Sequence, residues 1–272
     1  MRKLSELIVV IRGGGEAGSA IAHALKQSHF RVCISEIASP LSLRRGVCYS
    51  EAVYETENTI DGISSERTLL SLETIYKVWR GKKIAVVVDP ELTVKPLLKP
   101  DVLINALMLG KQTSTRIEDA PLVIGIGPGF TVGTNVHLAI DTNPGENLGR
   151  VLIEGEVENK SDSEEPDTLA GRILKSEDSG VFTSERKIGE IVLAGDLIGK
   201  LNDIDLASPV GGVIRGLLRN ETKVLNNTGL AEIDPVNGKS ACFTISKDMR
   251  TMGGAVLEAI LMSLNVEEST QQ

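Results

Sequence analysis

Three glycines that follow a short apolar run have the spacing of a phosphate-binding turn. Within LIVVIRGGGEAGSAIAHAL, residues 7–25, Gly13, Gly15 and Gly18 satisfy G-x-G-x-x-G, and Gly14 lies between the first two. In such a turn the first glycine permits a tight bend, the second lets a pyrophosphate approach the backbone, and the third brings helix and strand together. The N–H groups at the start of the next helix then attract phosphate. We therefore expect a phosphate-bearing ligand here; the alternative is a turn that only packs a helix on a sheet.

Charged residues near this turn in the sequence could contact the rest of the ligand. Glu36 lies at the expected end of the second strand, where an acidic side chain can accept hydrogen bonds from ribose hydroxyls. Arg44 and Arg45 could neutralise phosphate or hold a pterin carbonyl, because a guanidinium group suits paired, planar contacts. Arg12 adds a further cation. Solvated side chains are the alternative for Glu36 and for the two later arginines.

Cys48 follows the two arginines and is a candidate carrier of sulfur or selenium. Nearby cations lower the pKa of a thiol and favour the reactive thiolate, which could hold a persulfide-type adduct. Burial among small apolar neighbours is the alternative for this cysteine. The cysteines and histidines have no metal-ligand spacing, and the serines have no nucleophile-elbow context. The sequence therefore predicts neither a metal site nor a hydrolase.

A second glycine-rich stretch, GIGPGFTVG at residues 125–133, also follows an expected strand. Ligands in open α/β sheets bind beyond the carboxyl ends of the strands, so Gly127 and Gly129 could face the same ligand as the first turn. Asp89 and Asn105 end other expected strands at the same edge. A turn-rich reversal of the chain is the alternative for this stretch.

The positions of these residues depend on a predicted alternation of strands and helices over residues 1–149. Continuous apolar runs indicate strands that are covered on both faces. One helix is predicted after the glycine turn and another over residues 64–79. Short strands separated by helices favour right-handed crossovers, and hence an α/β fold whose first domain is a Rossmann-like parallel sheet that binds a nucleotide or cofactor. The predicted strands are residues 7–11, 30–35, 84–88, 102–106, 122–126 and 136–140.

The rest of the chain has a different pattern. Residues 159–167 are acidic and polar, which is typical of a solvated loop. Short apolar runs separated by turns then predict a small β-rich domain over residues 150–246. Residues 247–272 are predicted to form a C-terminal helix and tail.

The composition excludes several function classes. The chain has 272 residues, a net charge of −8 and 3% aromatic residues, whereas nucleic-acid binding needs a basic surface and, for base stacking, aromatic platforms. No apolar stretch approaches the ~20 residues of a membrane span. The unpatterned cysteines suit a reducing compartment. We therefore expect a cytoplasmic protein that binds neither nucleic acid nor membrane, with a homodimer as the default assembly.

Seven segments, in order along most of the chain, carry a family resemblance. They read VIRGGGEAGSAIAHAL, EIASPLSLRRGVCYSEAVYE, APLVIGIGPGFTVG, LGRV, SPVGGVIRGLL, EIDP and GGAVLEAIL. The second and third, at residues 36–55 and 120–133, are far more specific than a glycine motif alone. Together they resemble the YqeB-type accessory proteins of selenium-dependent molybdenum hydroxylase systems, which are distantly similar to the XdhC-type chaperones.

This resemblance implies a role in the maturation of a molybdenum hydroxylase, with the apo-enzyme as protein partner. XdhC-type chaperones pair a Rossmann-like domain with delivery of the molybdenum cofactor. The ligand of the glycine turn would then be a molybdopterin-type cofactor, and the protein would handle that cofactor or the insertion of selenium or sulfur. The chain departs from the family before LGRV, where Pro144 and Glu146 stand in place of a frequent arginine and histidine. No family role is carried over to that segment.

The β-rich domain is similar to the barrel-sandwich fold of biotinyl and lipoyl carriers, through GDLIGKL, SPVGGVIRGLL and EIDP. Those carriers present a modified lysine on a hairpin just before the SP-x-x-G turn. Here the corresponding LNDIDLA, residues 201–207, is short and contains no lysine, and Lys200 precedes it in an expected strand. We therefore expect a structural or docking role and not a carrier function.

Two other functions stay open beside the accessory role. The first is an NAD(P)-dependent oxidoreductase, which the glycine turn alone would suggest. No His–Asp or Tyr–Lys pair at a recognisable spacing offers such an enzyme its proton relay. The second is a non-catalytic scaffold that binds the apo-hydroxylase through the β-rich domain.

Overall fold

The computed structural model describes residues 3–110, 114–159 and 172–269, with side chains up to residue 264. Of the acidic loop predicted at residues 159–167, only residue 159 is among the described residues. The chain forms two compact units. The first is built from Met1–Pro40, Tyr49–Lys160 and Ile245–Gln272, and the second from Leu41–Cys48 and Ser161–Thr244.

The first unit is built on one mixed sheet of nine strands. They are β1 (Ile8–Arg12), β2 (Arg31–Glu36), β3 (Glu57–Ile60), β4 (Ile63–Arg67), β5 (Ile84–Val88), β6 (Val102–Asn105), β7 (Leu122–Ile126), β8 (Leu138–Ile140) and β9 (Val151–Leu152). They lie in the order β3-β4-β5-β2-β1-β6-β7-β8-β9. The pairs from β4 to β8 are parallel, and the outer pairs β3–β4 and β8–β9 are antiparallel. The apolar β1 lies at the centre because both its faces are covered.

The helices of this unit are α1 (Glu16–Gln27), α2 (Ala52–Glu55), α3 (Leu72–Arg80), α4 (Val94–Leu98) and α5 (Lys247–Ser269). Apolar residues of α3 and α4 share a core with alternate residues of the central strands, among them Val10 of β1 and Leu103 of β6. α5 packs on α1, because a side chain at Gly253 would lie 2.9 Å from the Cβ of Ala24. The C-terminal helix is therefore part of the first unit.

The second unit consists of two antiparallel sheets of four strands each. Its strands are β10 (Ile173–Lys175), β11 (Gly180–Thr183), β12 (Ile191–Val192), β13 (Leu197–Leu201), β14 (Ile204–Ala207), β15 (Gly212–Leu217), β16 (Thr222–Val224) and β17 (Gly229–Asp234). One sheet has the order β10-β17-β15-β12 and the other β14-β13-β11-β16. Their buried side chains, such as Phe182 and Ile214, form a core of their own, on which Leu43 of the segment 41–48 also packs.

The predicted fold class, a Rossmann-like parallel sheet followed by a barrel-sandwich-like unit and a separate C-terminal helix, is wrong. The sheet is mixed and both its edges are antiparallel. No helix lies between β7 and β8, where residues 127–137 are all described. The β-rich unit takes in residues 41–48 from the predicted first domain, and the C-terminal helix returns to the first unit. The edge strands escaped prediction because β3 is polar and β9 has two residues, so neither forms an apolar run.

The helix predicted over residues 64–79 is also wrong in its first half. β4 ends at Arg67 and so occupies residues 64–67 of that part, and α3 begins only at Leu72. Ser71 caps α3, since its hydroxyl oxygen accepts a hydrogen bond from the backbone N of Thr74 at 3.3 Å. The polar β4 is a strand because it pairs with β5, a tertiary contact that local periodicity does not report. Among the described residues, no helix is both long and apolar enough to span a membrane.

Candidate ligand-binding site

Two of the glycines in the turn are required by the packing of the fold itself. Gly13 has a φ of +98°, a conformation that side chains rarely adopt. A Cβ at Gly18 would lie 2.0 Å from the carbonyl oxygen of Gly13. The helix α1 can therefore approach the end of β1 this closely only without a side chain at Gly18. Helix–strand packing accounts for both positions, whatever the turn binds.

The middle glycine of the turn is enclosed by the protein. The backbone N–H of Gly14 donates to Oε2 of Glu36 at 2.7 Å. Its carbonyl oxygen accepts from the backbone N of Ser50 at 3.0 Å and from the hydroxyl of Ser19 at 2.8 Å. Ser19 Oγ in turn accepts from the backbone N of Tyr49 at 2.7 Å. Sequence reasoning missed Ser19 and the 49–50 backbone, because a tertiary contact of this kind has no local signal.

Gly15 is the open part of the turn. It precedes α1 with a φ of −66°. Apart from its chain neighbours, no heavy atom of the described residues lies within 4 Å of the position that its Cβ would occupy. The twelve-residue α1 directs the partial positive charge of its first turn toward this point. A phosphate can approach the backbone at Gly15, whereas Glu36 already takes the N–H of Gly14.

Glu36 ends β2 with both carboxylate oxygens in use. Oε2 accepts from Gly14 N, and Oε1 accepts from the backbone N of Ile37 at 2.7 Å. The residue is 8% exposed. Burial raises the pKa of this carboxyl, and the two amide hydrogen bonds partly oppose the shift. Each oxygen keeps a second lone pair, so contact with a ribose hydroxyl stays a prediction, but the observed contacts are structural.

Arg12 lies at the carboxyl end of β1, between the ends of β2 and β6. Its Nη1 donates to the hydroxyl of Ser114 at 3.1 Å, and its Nη2 donates to the carbonyl oxygen of Pro90 at 3.3 Å. Both hydrogen bonds are exposed and the second is long, so together they hold the guanidinium group only weakly. The other N–H groups of Arg12 have no partner among the described residues. In open α/β sheets, this edge, beside the central strand, is where ligands bind.

Asp89 and Asn105, expected at the same edge, brace the loops around it. The carboxylate of Asp89 accepts from the backbone N of Thr93 at 2.9 Å and of Val94 at 2.7 Å. Asn105 Nδ2 donates to the hydroxyl of Thr115 at 2.7 Å. Both residues are buried. They shape the rim rather than present free polar atoms to a ligand.

Arg44 and Arg45 bind the segment 41–48 to the rest of the second unit through hydrogen bonds and an ion pair. Arg44 makes a bidentate contact with Glu232 of β17, from Nε to Oε2 at 2.6 Å and from Nη2 to Oε1 at 2.7 Å. Arg45 Nε donates to the carbonyl oxygen of Leu217 at 2.6 Å. The predicted contacts of both arginines with phosphate or pterin stay predictions. Sequence reasoning missed the structural role because Glu232 is 188 residues from Arg44.

Cys48 is buried, and its thiol donates to the carbonyl oxygen of Arg44 at 3.3 Å. A thiol that carries sulfur or selenium must reach its donor and acceptor, so Cys48 could do so only after the segment 41–48 moved. Its role as a persulfide carrier stays a prediction. The observed environment is that of a packed cysteine.

Gly127 and Gly129 lie in a loop that is stabilised by its own residues. Their φ values are +81° and +96°. The side chain of Asn135 accepts from the backbone N of Thr131 at 2.8 Å and donates to the carbonyl oxygen of Gly129 at 3.3 Å. Phe130 packs so closely on Gly125 that a Cβ there would lie 2.2 Å from the ring. The glycines serve the turn of the chain, and ligand contact by them stays a prediction.

The hairpin that corresponds to the carrier hairpin is formed by β13 and β14. Its tip is Asn202 and Asp203, and Lys200 lies within β13 with its Nζ 2.9 Å from Oδ1 of Asp205. No lysine is therefore presented at the tip, where a carrier would need one.

Comparison with known proteins identifies one relative by sequence. The chain is 33% identical over 263 residues to YqeB of Escherichia coli K12, a protein described as uncharacterized, in an alignment that covers 95% of the chain. The chain is a homologue of YqeB. This supports the predicted YqeB-type family, while the link to a selenium-dependent molybdenum hydroxylase stays a prediction. The chain spans about half, 48%, of the length of this curated relative. No family model matches the chain.

Several solved structures have a distant likeness to the chain. A succinylglutamate desuccinylase/aspartoacylase from Rhodobacter sphaeroides is 13% identical with a TM-score of 0.26, over 85% of this chain and 86% of that one. The ectoine utilization protein EutE (DoeB) from Ruegeria pomeroyi is 12% identical with a TM-score of 0.24, over 84% and 57%. TcdA (CsdL) is 15% identical with a TM-score of 0.28, over 46% and 50%. At these scores the likenesses carry no argument about fold or function.

Proposed function

We propose that this chain is an accessory protein for the maturation of a selenium-dependent molybdenum hydroxylase, and that its first unit binds a phosphate-bearing ligand at the Gly13–Gly15 turn. The resemblance of its segments to YqeB-type proteins, and its homology to YqeB, support the accessory role. The ligand is a molybdopterin-type cofactor, held for delivery to the apo-enzyme. The accessory role does not require that the protein catalyses a reaction.

The observation that carries the ligand proposal is the open backbone at Gly15. Nothing in the described residues, beyond the chain neighbours, fills the space over it, and the start of α1 and the weakly bonded guanidinium of Arg12 both favour an anion. Gly13 and Gly18 allow the turn to form, and Gly14 is held by Glu36. Contact with phosphate therefore comes from Gly15, the first turn of α1 and Arg12.

The test is retention of ligand by a Gly15→Val variant. Protein expressed together with the molybdenum cofactor pathway is purified, and what co-purifies is identified by mass spectrometry. A valine at Gly15 keeps an ordinary φ, so the variant should fold but lose the ligand. Gly238→Val is the matched control, because Gly238 also precedes a helical turn with an ordinary φ and an open Cβ position. Ligand that is retained in folded Gly15→Val protein would refute the site.

The same preparations separate the two alternatives. A rise in thermal stability with NAD or NADP, absent in Gly15→Val, would favour an NAD(P)-dependent oxidoreductase instead. The fluorescence of Trp79 is not a suitable measure of this binding. Its indole N–H donates to the carbonyl oxygen of Val32 near the start of β2, whereas the glycine turn contacts Glu36 at the other end of that strand. Capture of the apo-hydroxylase by protein without any ligand would favour the scaffold.

A further inference from the structure

A polar cavity of about 930 Å³ lies in the first unit, apart from the glycine turn. It is lined by the loop that follows β8, by β9 and the residues after it, and by Met262 of α5. The lining includes the LGRV segment at residues 148–151, which the proposed function does not use. Pockets of this size commonly hold small molecules or side chains of a partner.

Asp141 is the buried carboxylate among the residues that line this cavity. It follows β8 directly and is 8% exposed. Its Oδ1 accepts from the backbone N and from Nδ2 of Asn143, both at 2.8 Å. Its Oδ2 accepts no hydrogen bond from the described residues, and none of their cations pairs with it. Oδ2 can therefore accept a hydrogen bond from a donor that enters the cavity.

The rest of the lining favours a cation. Glu154, Glu156 and Glu158 join Asp141, and Arg150 is the one cation among the described lining residues, which leaves a net charge of −3. Apolar surface lies beside the carboxylates, since Ile153 and Met262 are 65% and 39% exposed. A ligand with a positive head and an aliphatic stem matches this combination.

The arrangement argues against other occupants. Among the described residues, no three His, Cys, Asp or Glu side chains are placed to hold a metal ion. A second copy of this chain carries a net charge of −8, and residues 160–171 have four acidic residues and one lysine. Both would be repelled by the carboxylates.

We infer that this cavity binds an organic cation, a guanidinium or ammonium group whose N–H donors pair with Oδ2 of Asp141 and whose aliphatic stem packs on Met262 and Ile153. A guanidinium group has the stronger claim, because its planar donors suit a carboxylate. The group belongs either to a free small molecule or to an arginine or lysine side chain of a partner peptide. This site is separate from the proposed phosphate site and does not depend on it.

The experiment is titration calorimetry of the full chain with two probes: arginine amide, and a short peptide with one arginine among neutral residues. We expect saturable binding that weakens as salt increases. Asp141→Asn keeps the shape and the Oδ1 acceptor but should weaken binding about tenfold or more. Glu91→Gln, an equal change of charge at an exposed residue outside the cavity lining, should leave binding unchanged.

Each outcome decides the inference. Binding of both probes indicates a small-molecule source, and binding of the peptide alone indicates a partner protein; either supports the cation site. No binding by folded protein, or equal binding by Asp141→Asn, would overturn it. If Asp141→Asn fails to fold, Glu154→Gln replaces it, with an expected loss of a few-fold. Gly15→Val should bind both probes normally, which separates this site from the phosphate site.

Discussion

At the scale of residues, the glycine turn shows that one motif can combine different requirements. At Gly18 a Cβ would meet the backbone oxygen of Gly13, and Gly13 itself has a positive φ that other residues rarely adopt. At Gly14 the space for a Cβ is taken by Ile34, Ser50 and Glu36. The space at Gly15 alone is open. The ligand-binding potential of the motif is therefore concentrated at a single position, and that position can be separated from the others by mutation.

The first prediction concerns the stability of this turn. Gly18→Ala would place a Cβ 2.0 Å from the carbonyl oxygen of Gly13, so the helix must move from the strand. We expect a loss of about 1–3 kcal/mol or more in the free energy of unfolding, measured by urea denaturation. Gly15→Ala is the control, with an expected change within about 0.5 kcal/mol. Equal stability of the two variants would contradict the packing argument.

His23 in α1 makes folding depend on pH. Burial lowers the pKa of this buried imidazole below its usual 6.5, and a contact of 3.5 Å between its Nε2 and the carbonyl oxygen of Asp61 opposes only part of the shift. The unfolded chain then binds a proton near pH 6.5 that the folded chain does not. The stabilisation by neutral His23 is therefore complete above about pH 6.5. It is lost as the pH falls from there toward the lower pKa that His23 has in the folded protein.

The second prediction follows from that sign. The free energy of unfolding of the wild type, relative to that of His23→Gln, should decrease between about pH 7.5 and about pH 5.5. Urea denaturation at several pH values measures this difference. His137, whose pKa burial also lowers, is present in both proteins, so its contribution cancels. A difference that stays constant with pH would show that His23 does not cause the dependence.

At the scale of elements, the segment 41–48 behaves as an added piece of the second unit. Leu43 packs on that unit's core, and its carbonyl oxygen accepts from the backbone N of Leu217 at 2.9 Å. Gly46 lies under Cys242 and Phe243, where a Cβ would be 2.4 Å from a backbone oxygen. The eight residues of this segment lie between two segments of the first unit along the chain. They are held in the second unit by backbone hydrogen bonds, apolar packing and the ion pair of Arg44.

The third prediction tests how much that ion pair contributes. Arg44→Ala leaves Glu232, with 5% of its side chain exposed, without its bidentate partner, and we expect a loss of roughly 2–4 kcal/mol in the free energy of unfolding. Lys200→Ala is the control, because the side chains of the Lys200–Asp205 pair are 50% and 66% exposed and the pair should contribute little to stability. Denaturant unfolding measures both variants. Similar small losses would mean that the segment is held by its backbone and Leu43.

The sequence predicted the centre of the first sheet and missed its margins for a physical reason. Runs such as LIVVI and IAVVV are apolar because those strands are covered on both faces, so β1 and β5 lie where expected. The polar β3 and β4 form because neighbouring strands offer backbone partners. The roles of Arg44 and Glu36 could not be predicted either, since Glu232 and the enclosed N–H of Gly14 come near only after folding.

At the scale of the whole molecule, each of the two units encloses buried apolar residues of its own. The core on α3 and α4 contains Val10 and Leu103, and the core of the second unit contains Ile214 and Leu230. We therefore expect each unit to unfold cooperatively on its own.

The fourth prediction is that calorimetry resolves two unfolding transitions. Leu230→Ala, at a fully buried position, should cost about 2–5 kcal/mol and lower the midpoint of one transition. Leu103→Ala, buried to the same extent in the first core, should lower the midpoint of the other. A single two-state transition, with equal calorimetric and van't Hoff enthalpies, would show that the units unfold together.

The chain passes between its two units four times, and this order has a consequence during synthesis on the ribosome. Arg44 is made 188 residues before Glu232, a wait of about 10–40 s at common elongation rates. α1 waits longer still for α5, whose Gly253 packs against it. Neither unit can be completed before its last segment emerges, so the nascent protein exposes apolar surface of both units until those last segments, residues 161–244 and 245–272, have been made. Its dependence on chaperones should be greatest in that interval.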